Sequence, residues 1–362
     1  MKRSDVQDFV RLEYKKYKRK KPPPNFSDVI DFDEVENFEN KIERECHLNT
    51  EEHLVAECCK LGLKNPTKWK AYWMKSCPGF MFVRNPFLSQ SQKYWTHQAL
   101  TDYTKKPFPC NLDVHMKLDD SKTIWEISQE ESPLNPYSFM ERLRWSHLGY
   151  HFDYNYVNYK EEKYYGFPDN LSMLMKCIAQ VLGFRSYVPE TAIVNYYPIG
   201  SSMGGHTDHY EEELDAPLIS VSFGQPAVFL IGGKTKDIKP EAIWIRSGDI
   251  VIMSGESRVA YHAVPCIIKE GLDGKPPEAL QYDGSRETKC DCATVQDIEG
   301  QSTVKECMNI EGSTSDLECQ FSCKGDNHLW TSLTLSKKDW EPFASYLSKT
   351  RININVRQVH KR

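Results

Sequence analysis

From residue 189 onward, the apolar positions of this chain come in short β-branched or aromatic runs, each closed off by Gly, Pro or Asp. Residues 192–197, 218–223, 227–231, 243–246, 250–253 and 259–264 are such runs, and their length and composition predict strands. Several short strands at this spacing predict an antiparallel double sheet of the jelly-roll kind. Upstream the period changes. Leu171, Leu174, Met175, Ile178 and Leu182 recur at helical spacing, with Gly183 where a C-terminal cap belongs. Residues 89–104 predict a second helix, with Ser89 as N-cap and Tyr94, Leu100 and Tyr103 near one face. Residues 77–83 predict a strand at which compact structure begins. Near the carboxyl end, Ser336 is placed to cap a helix carrying Trp340, Phe343, Ala344 and Leu347, and residues 351–357 predict the last strand.

That last strand changes the picture. Side chains alternate across a strand, so Arg351, Asn353, Asn355 and Arg357 share one face and Ile352, Ile354 and Val356 the other. If the cationic face points into the barrel mouth, two buried guanidinium groups need an anionic partner, and a dicarboxylate matches the Arg fork bidentately. Asn195 and Tyr197, two apart on one face, supply donors suited to a buried carboxylate. His206 and Asp208, joined by His262 from a distant strand, fit the facial triad of two imidazoles and a carboxylate that holds ferrous iron with open positions.

Charge is segregated. The chain has 362 residues and formal net charge -5, yet residues 1–21 hold nine Lys or Arg, ending in Lys15-Lys16-Tyr17-Lys18-Arg19-Lys20-Lys21. Asp5, Asp8 and Glu13 in that segment argue against a transit peptide. Two readings stand for the run: a nuclear address or nucleic-acid-binding arm, and a solvated amphipathic helix with a basic end. Pro22-Pro23-Pro24 then opens an acidic stretch read as an extension outside the core. No apolar run is long enough to span a bilayer, so no membrane partner is expected. Twelve cysteines predict reduced thiols in an intracellular chain. Cys290, Cys292, Cys307, Cys319 and Cys323 match no standard zinc spacing and predict free thiols in a long loop, 269–327.

Asn195-x-Tyr197, His206-x-Asp208, Ser247-Gly248-Asp249-Ile250, Gly255-x-Ser257-Arg258-x-x-Tyr261-His262 and Arg351-x-Asn353-x-x-x-Arg357 occur in one order along the chain. In that order they resemble the AlkB nucleic-acid dioxygenases. Trp69-Lys70-Ala71-Tyr72, Pro78-Gly79-Phe80, Asn85-Pro86-Phe87-Leu88, Leu143-Arg144-Trp145 and Val356-Arg357-Gln358-Val359 extend the similarity beyond the core, closest to the AlkB homologue 1 class.

The resemblance implies a mainly β protein with flanking helices (α+β). Its core is a double-stranded β-helix (jelly roll) with an N-terminal helical and substrate-lid extension. It divides the chain into a basic then acidic extension (1–75), support helices and lid (76–188), and a dioxygenase core (189–362). It implies Fe(II) held by His206, Asp208 and His262, and 2-oxoglutarate chelating that iron. Arg351 would hold the distal carboxylate with Asn195 and Tyr197, and Asn353 and Arg357 would complete the pocket. O2 is the remaining cosubstrate. Tyr150 corresponds to the family's lid tyrosine, with Trp145 a second candidate base platform, against simple aromatic packing for both. Tyr210 stands where the family's bacterial archetype has an acidic base-reading residue, so base preference does not carry over. Gly248-Asp249 and Arg258 are read as structural, Arg258 paired with an acid near the site.

The expected activity is oxidative demethylation or oxidation of modified bases. tRNA bearing 1-methyladenosine or 5-methylcytosine is the first expectation and DNA the second, in the nucleus, mitochondrion or cytoplasm. A methyl-lysine dioxygenase and a catalytically silent relative are the alternatives. The complete triad and both arginines argue against silence.

Overall fold

Period-two sequence becomes two antiparallel sheets that close on one cavity in the computed structural model, which describes residues 7–44, 47–131, 138–153, 158–269, 275–282 and 328–362. The strands in the first half are β1 (Ile42–Arg44), β2 (Lys70–Met74), β3 (Phe80–Arg84), β4 (Trp145–Asp153) and β5 (Asn158–Tyr164). The second half carries β6 (Thr191–Pro198), β7 (Met203–His206), β8 (Leu218–Gly224) and β9 (Ala227–Ile231). It continues with β10 (Glu241–Ile245), β11 (Ile250–Met253), β12 (His262–Ile267) and β13 (Thr350–Arg357). Among the described residues the larger sheet runs β1-β2-β3-β11-β8-β13-β6-β4-β5 and the smaller β10-β9-β12-β7. This is the jelly-roll core with flanking helices that the strand pattern predicted.

Seven helices flank the sheets in the described residues: α1 (Phe9–Lys18), α2 (Glu52–Lys60), α3 (Ser89–Leu100), α4 (Ile124–Gln129), α5 (Phe139–Arg142), α6 (Asp169–Val181) and α7 (Lys337–Leu347). α6 buries Leu171, Leu174, Met175 and Ile178 and ends before Gly183, whose φ of +92° only glycine adopts without strain. α7 starts as predicted, with the Ser336 side chain accepting a hydrogen bond from Asp339 N. None of the described helices is long and apolar enough to cross a membrane.

Several expectations are corrected. Packing begins well before residue 77: Tyr17, Ile30, Phe32, Leu54, Cys58 and Leu61 are all buried. The acidic stretch is tied down by Asp31, which takes a two-pronged bond from Arg246 (2.8 and 2.6 Å) while Ile30 bridges to Ile243. These contacts join residues some 210 positions apart, which local periodicity does not register. Leu88, not Ser89, caps α3; its last turn breaks at Thr101, and Tyr103 lies in a separate 3-10 turn. Residues 255–259 form a 3-10 turn closed by Ser254 and Ser257, so the strand begins only at His262. Cys58, Cys77, Cys110, Cys177 and Cys266 are free thiols, but Cys59 is disulfide-bonded, against the expectation of uniformly reduced cysteines. The five clustered cysteines of the long loop lie outside the described residues.

The basic amino-terminal helix is a buttress. α1 buries Val10 and Tyr17 against β7, β9 and β12, and Tyr14 Oη bonds Ser202 Oγ at 2.9 Å. A Cβ on Gly205 would stand 2.5 Å from Val10 Cγ1, so only glycine lets α1 sit this close to β7. The basic residues Lys15, Lys18, Arg19, Lys20 and Lys21 remain exposed.

Candidate active site

β7 and β12 pair with His206 directly opposite His262, which brings together two residues far apart in sequence. Their ring centroids are 4.3 Å apart. Asp208 follows two residues after the end of β7, its Oδ1 4.0 Å from His206 Nε2 and its Oδ2 3.8 Å from His262 Nε2. These gaps are too long for hydrogen bonds, yet the three ligand atoms all lie within 4.8 Å of one another. The carbonyls of Gly204 and Ala260 accept from Nδ1 of His206 and His262, at 2.9 and 3.1 Å. That leaves both Nε2 lone pairs free for a cation, the arrangement metal-ligating histidines adopt. Burial holds the His262 imidazole down at about 4, against the opposing pull of Asp208, so it is neutral at pH 7.

Burial alone would raise the Asp208 carboxyl. Arg357, His262, His206 and Arg258 outweigh it and hold the group well below the usual carboxylate range. Two imidazoles and an ionised carboxylate on one side of a cavity are a donor set suited to non-haem Fe(II). It is the sole cluster of this kind among the described residues.

A cavity of about 370 Å³ opens between the triad and the larger sheet. Its floor is built by register. Arg351 pairs with Tyr197; Asn353 with Asn195, which pairs in turn with Trp145; Asn355 with Ile193, which pairs with His147. The polar face of β13 therefore looks into the cavity, while Ile352, Ile354 and Val356 are 0% exposed on the other face. Burying each of those aliphatic side chains contributes about 1.5–3 kcal/mol, which pins the register that aims the polar face inward.

The two guanidinium groups of β13 differ. Arg357 Nη1 stands 3.0 Å from Glu211 and 3.6 Å from Asp208. Arg351 has no carboxylate at ion-pair distance among the described residues. Its Nη1 donates to the carbonyls of Gln225 and Ile245 and its Nη2 to Ser222 Oγ, and its Nε is buried without a partner. Burial lowers its pKa to about 10, against the pull of Tyr197 and Asp249, so it stays charged at neutral pH. Burial likewise pushes the Tyr197 hydroxyl up to about 12, which keeps it a donor. An orphaned buried cation beside Tyr197, Asn195 and Asn353 fits a carboxylate-bearing ligand such as 2-oxoglutarate.

The sequence reading expected both arginines to lack an anion. The structure corrects this for Arg357, because Glu211 supplies one. Glu211 is 4% exposed, bonded to Arg258 (3.1 Å), Arg357 (3.0 Å) and Tyr159 Oη (2.7 Å). It went unnoticed because Glu211-Glu212-Glu213 reads as a solvated charge run. The signal was the pair of motif arginines, each needing a counter-charge. Arg258 does pair with an acid beside the site, and it also donates to the Asp208 carbonyl at 2.7 Å. Asp249 accepts from the backbone of Asn85 and Arg246, a turn-holding role.

The three residues considered for substrate are dispersed. Trp145 lines the cavity. Tyr150 does not: its hydroxyl donates to Glu161 at 2.9 Å and its ring packs on Tyr164 and His360. Tyr210 is 47% exposed, its ring 4.6 Å from that of Phe152. Gly149, just before Tyr150, has φ +73° and no room for a Cβ, which would lie 2.0 Å from Glu190 O. The sequence reading did not single out His147, which lies on the cavity floor.

The 2OG-Fe(II) oxygenase superfamily profile matches residues 116–357. The chain is 35% identical over 306 residues to "Nucleic acid dioxygenase ALKBH1" of Mus musculus, covering 83% of this chain and 69% of that one. It is 32% identical over 241 residues to "DNA N(6)-methyladenine demethylase ALKBH1A" of Arabidopsis thaliana, covering 58% and 70%. It is 30% identical over 276 residues to "tRNA demethylase abh1" of Schizosaccharomyces pombe, covering 71% and 84%. The superfamily works with Fe(II), 2-oxoglutarate and O2, and the triad and the orphaned Arg351 suit those groups. The chain belongs to the 2OG-Fe(II) oxygenase superfamily, within its AlkB family, and is an Fe(II)- and 2-oxoglutarate-dependent dioxygenase.

Proposed function

We propose that this dioxygenase demethylates N-methylated bases in RNA, tRNA first among them, inside the cell. One observation carries the reading: a single cavity holds the triad, the uncompensated Arg351 and the ring of Trp145. Two further features support nucleic acid. The relatives named above act on tRNA and on DNA by their names. Exposed Lys15 and Lys18 on the helix behind β7 and Arg19 and Lys20 just after it, with exposed Lys234, Lys236 and Lys239 nearby, form a basic surface suited to a phosphate backbone. An unpaired or loop base costs less to extrude into a cavity than one in an intact duplex, which favours structured RNA over DNA.

His206, Asp208 and His262 are the residues that would hold Fe(II). Bound together, the metal and 2-oxoglutarate supply O2-dependent decarboxylation to succinate coupled to hydroxylation of a nearby methyl C–H bond. Arg351 would clamp the distal carboxylate of 2-oxoglutarate, with donor support from Tyr197, Asn195 and Asn353. Arg357 keeps Asp208 ionised and in place. Trp145 offers a flat wall on which an extruded base stacks, worth about 1–3 kcal/mol. A hydroxylated N-methyl group then releases formaldehyde and restores the base.

The test is formaldehyde release from tRNA containing 1-methyladenosine, with Fe(II), ascorbate and 2-oxoglutarate. Stoichiometric formaldehyde and succinate are expected. No turnover across N-methylated and C5-methylated RNA and DNA, with iron bound, would refute the reading.

A further inference from the structure

His147 is 3% exposed, lines the cavity, and has a buried Nδ1 with no hydrogen-bond partner. It is not part of the triad and takes no part in the hydrogen bonds of Arg351 or Arg357. Its place is set by register: on β4 it lies two residues from Trp145, and across the sheet it forms one row with Ile193 and Asn355. The next residue of β13 on that face is Arg357, which reaches Asp208. His147 therefore sits one row nearer the metal end of the floor than Trp145 does.

The rings of Trp145 and His147 stand 5.4 Å apart at 87°, and the His151 ring packs 4.3 Å from the His147 imidazole. Two rings at right angles, one indole and one imidazole, make a corner of the cavity. Burial first, then His151 and Arg357, hold the His147 imidazole well below its ordinary range, so it is neutral at physiological pH. A neutral imidazole carries one N–H. An orphaned buried N–H is rarer and costlier than an orphaned acceptor, which puts the proton on Nε2 rather than on the enclosed Nδ1. The acids nearest the site do not compete for a base: Asp208 belongs to the triad, and Glu211 is held by two arginines.

We propose that His147 is a specificity-determining residue that donates a hydrogen bond to a ring-nitrogen acceptor on the edge of the target base while Trp145 stacks on its face. This assignment rests on the RNA-demethylase reading. On N1-methyladenine the remaining ring acceptors are N3 and N7, so the donor has a definite partner on the base.

The experiment is an atom-deletion cycle. kcat/KM is measured on an RNA hairpin carrying 1-methyladenosine and on its 3-deaza and 7-deaza analogues, for wild type, His147→Phe and His147→Gln. In wild type, one analogue is expected to lose roughly 10- to 100-fold, the usual consequence of leaving a built donor unpaired. In His147→Phe the same deletion should cost less than about twofold, and His147→Gln, which keeps a donor, should restore part of the penalty. His147→Leu serves the donor-free arm should the Phe variant not fold. Equal analogue penalties in wild type and the donor-free variant, or no penalty in wild type, overturn the assignment alone. Absence of wild-type turnover on the parent hairpin overturns the demethylase reading and this assignment together.

Discussion

Arg351 and Arg357 lie on the same face of one strand, six residues apart, and both are nearly fully buried, at 2% and 5% exposure. Their surroundings separate them. Arg357 sits between two carboxylates and is part of the frame that holds Asp208. Arg351 donates only to carbonyl and hydroxyl oxygens and has no carboxylate at ion-pair distance among the described residues. A buried charge with its counter-charge in place is structure; one without it is a binding site waiting for an anion. Under the proposed function, the same residue type, repeated on one strand, would serve stability at the metal end and cosubstrate capture at the far end.

That contrast is open to direct attack. Arg357→Ala strips a partner from two buried carboxylates, and breaking such pairs costs about 3–5 kcal/mol. At about 1.3 °C per kcal/mol for 362 residues, the thermal midpoint should fall by roughly 4–7 °C. A fall of only a degree or two would remove Arg357 from the frame. Arg351→Ala should do the reverse. It should leave the midpoint of cosubstrate-free protein nearly unchanged and weaken 2-oxoglutarate by roughly 30- to 5,000-fold, the range for truncating one side of a buried charge pair.

Acid should discriminate the two ends next. Asp208 and Glu211 both have folded pKa values depressed below the ordinary range, because Arg357 first, with Arg258 and, for Asp208, the two triad histidines, outweighs burial. The folded state then binds fewer protons than the unfolded one as pH falls. Their stabilisation is complete above the unfolded values of about 4 and is lost as pH drops through the depressed folded values. Stability measured by denaturant from pH 7 down to 3 should fall steeply in wild type and Arg351→Ala, and less steeply in Arg357→Ala. Parallel curves for all three would break the assignment. The smallest effect is expected from Arg351→Lys, which keeps the charge and loses the fork: about tenfold in 2-oxoglutarate affinity, with the midpoint held.

How much of this was legible from residues alone follows the range of the interactions. The triad was legible because its ligand chemistry is narrow, and the polar face of β13 because alternation is a local property. The strand pattern also announced the jelly roll. Glu211 was hidden in a run of three glutamates, of which only its burial singles it out. β5, Asn-Tyr-Lys-Glu-Glu-Lys-Tyr, was missed because it buries neither face and so shows no apolar alternation. The basic helix α1 suggested an arm, yet its Val10 and Tyr17 seat it on β7 behind His206. Contacts between residues 10 and 205, or 31 and 246, leave no periodic trace in sequence.

The decisive measurement is calorimetric titration of 2-oxoglutarate into wild type and Arg351→Ala, with Mn(II) as a redox-inert stand-in for Fe(II) and thermal midpoints recorded on the same samples. The account predicts tight one-to-one binding to wild type, at least a 30-fold loss in Arg351→Ala, and matching midpoints without cosubstrate. Equal affinities in the two proteins would show that Arg351 is not the cation held for the cosubstrate, and would contradict the account.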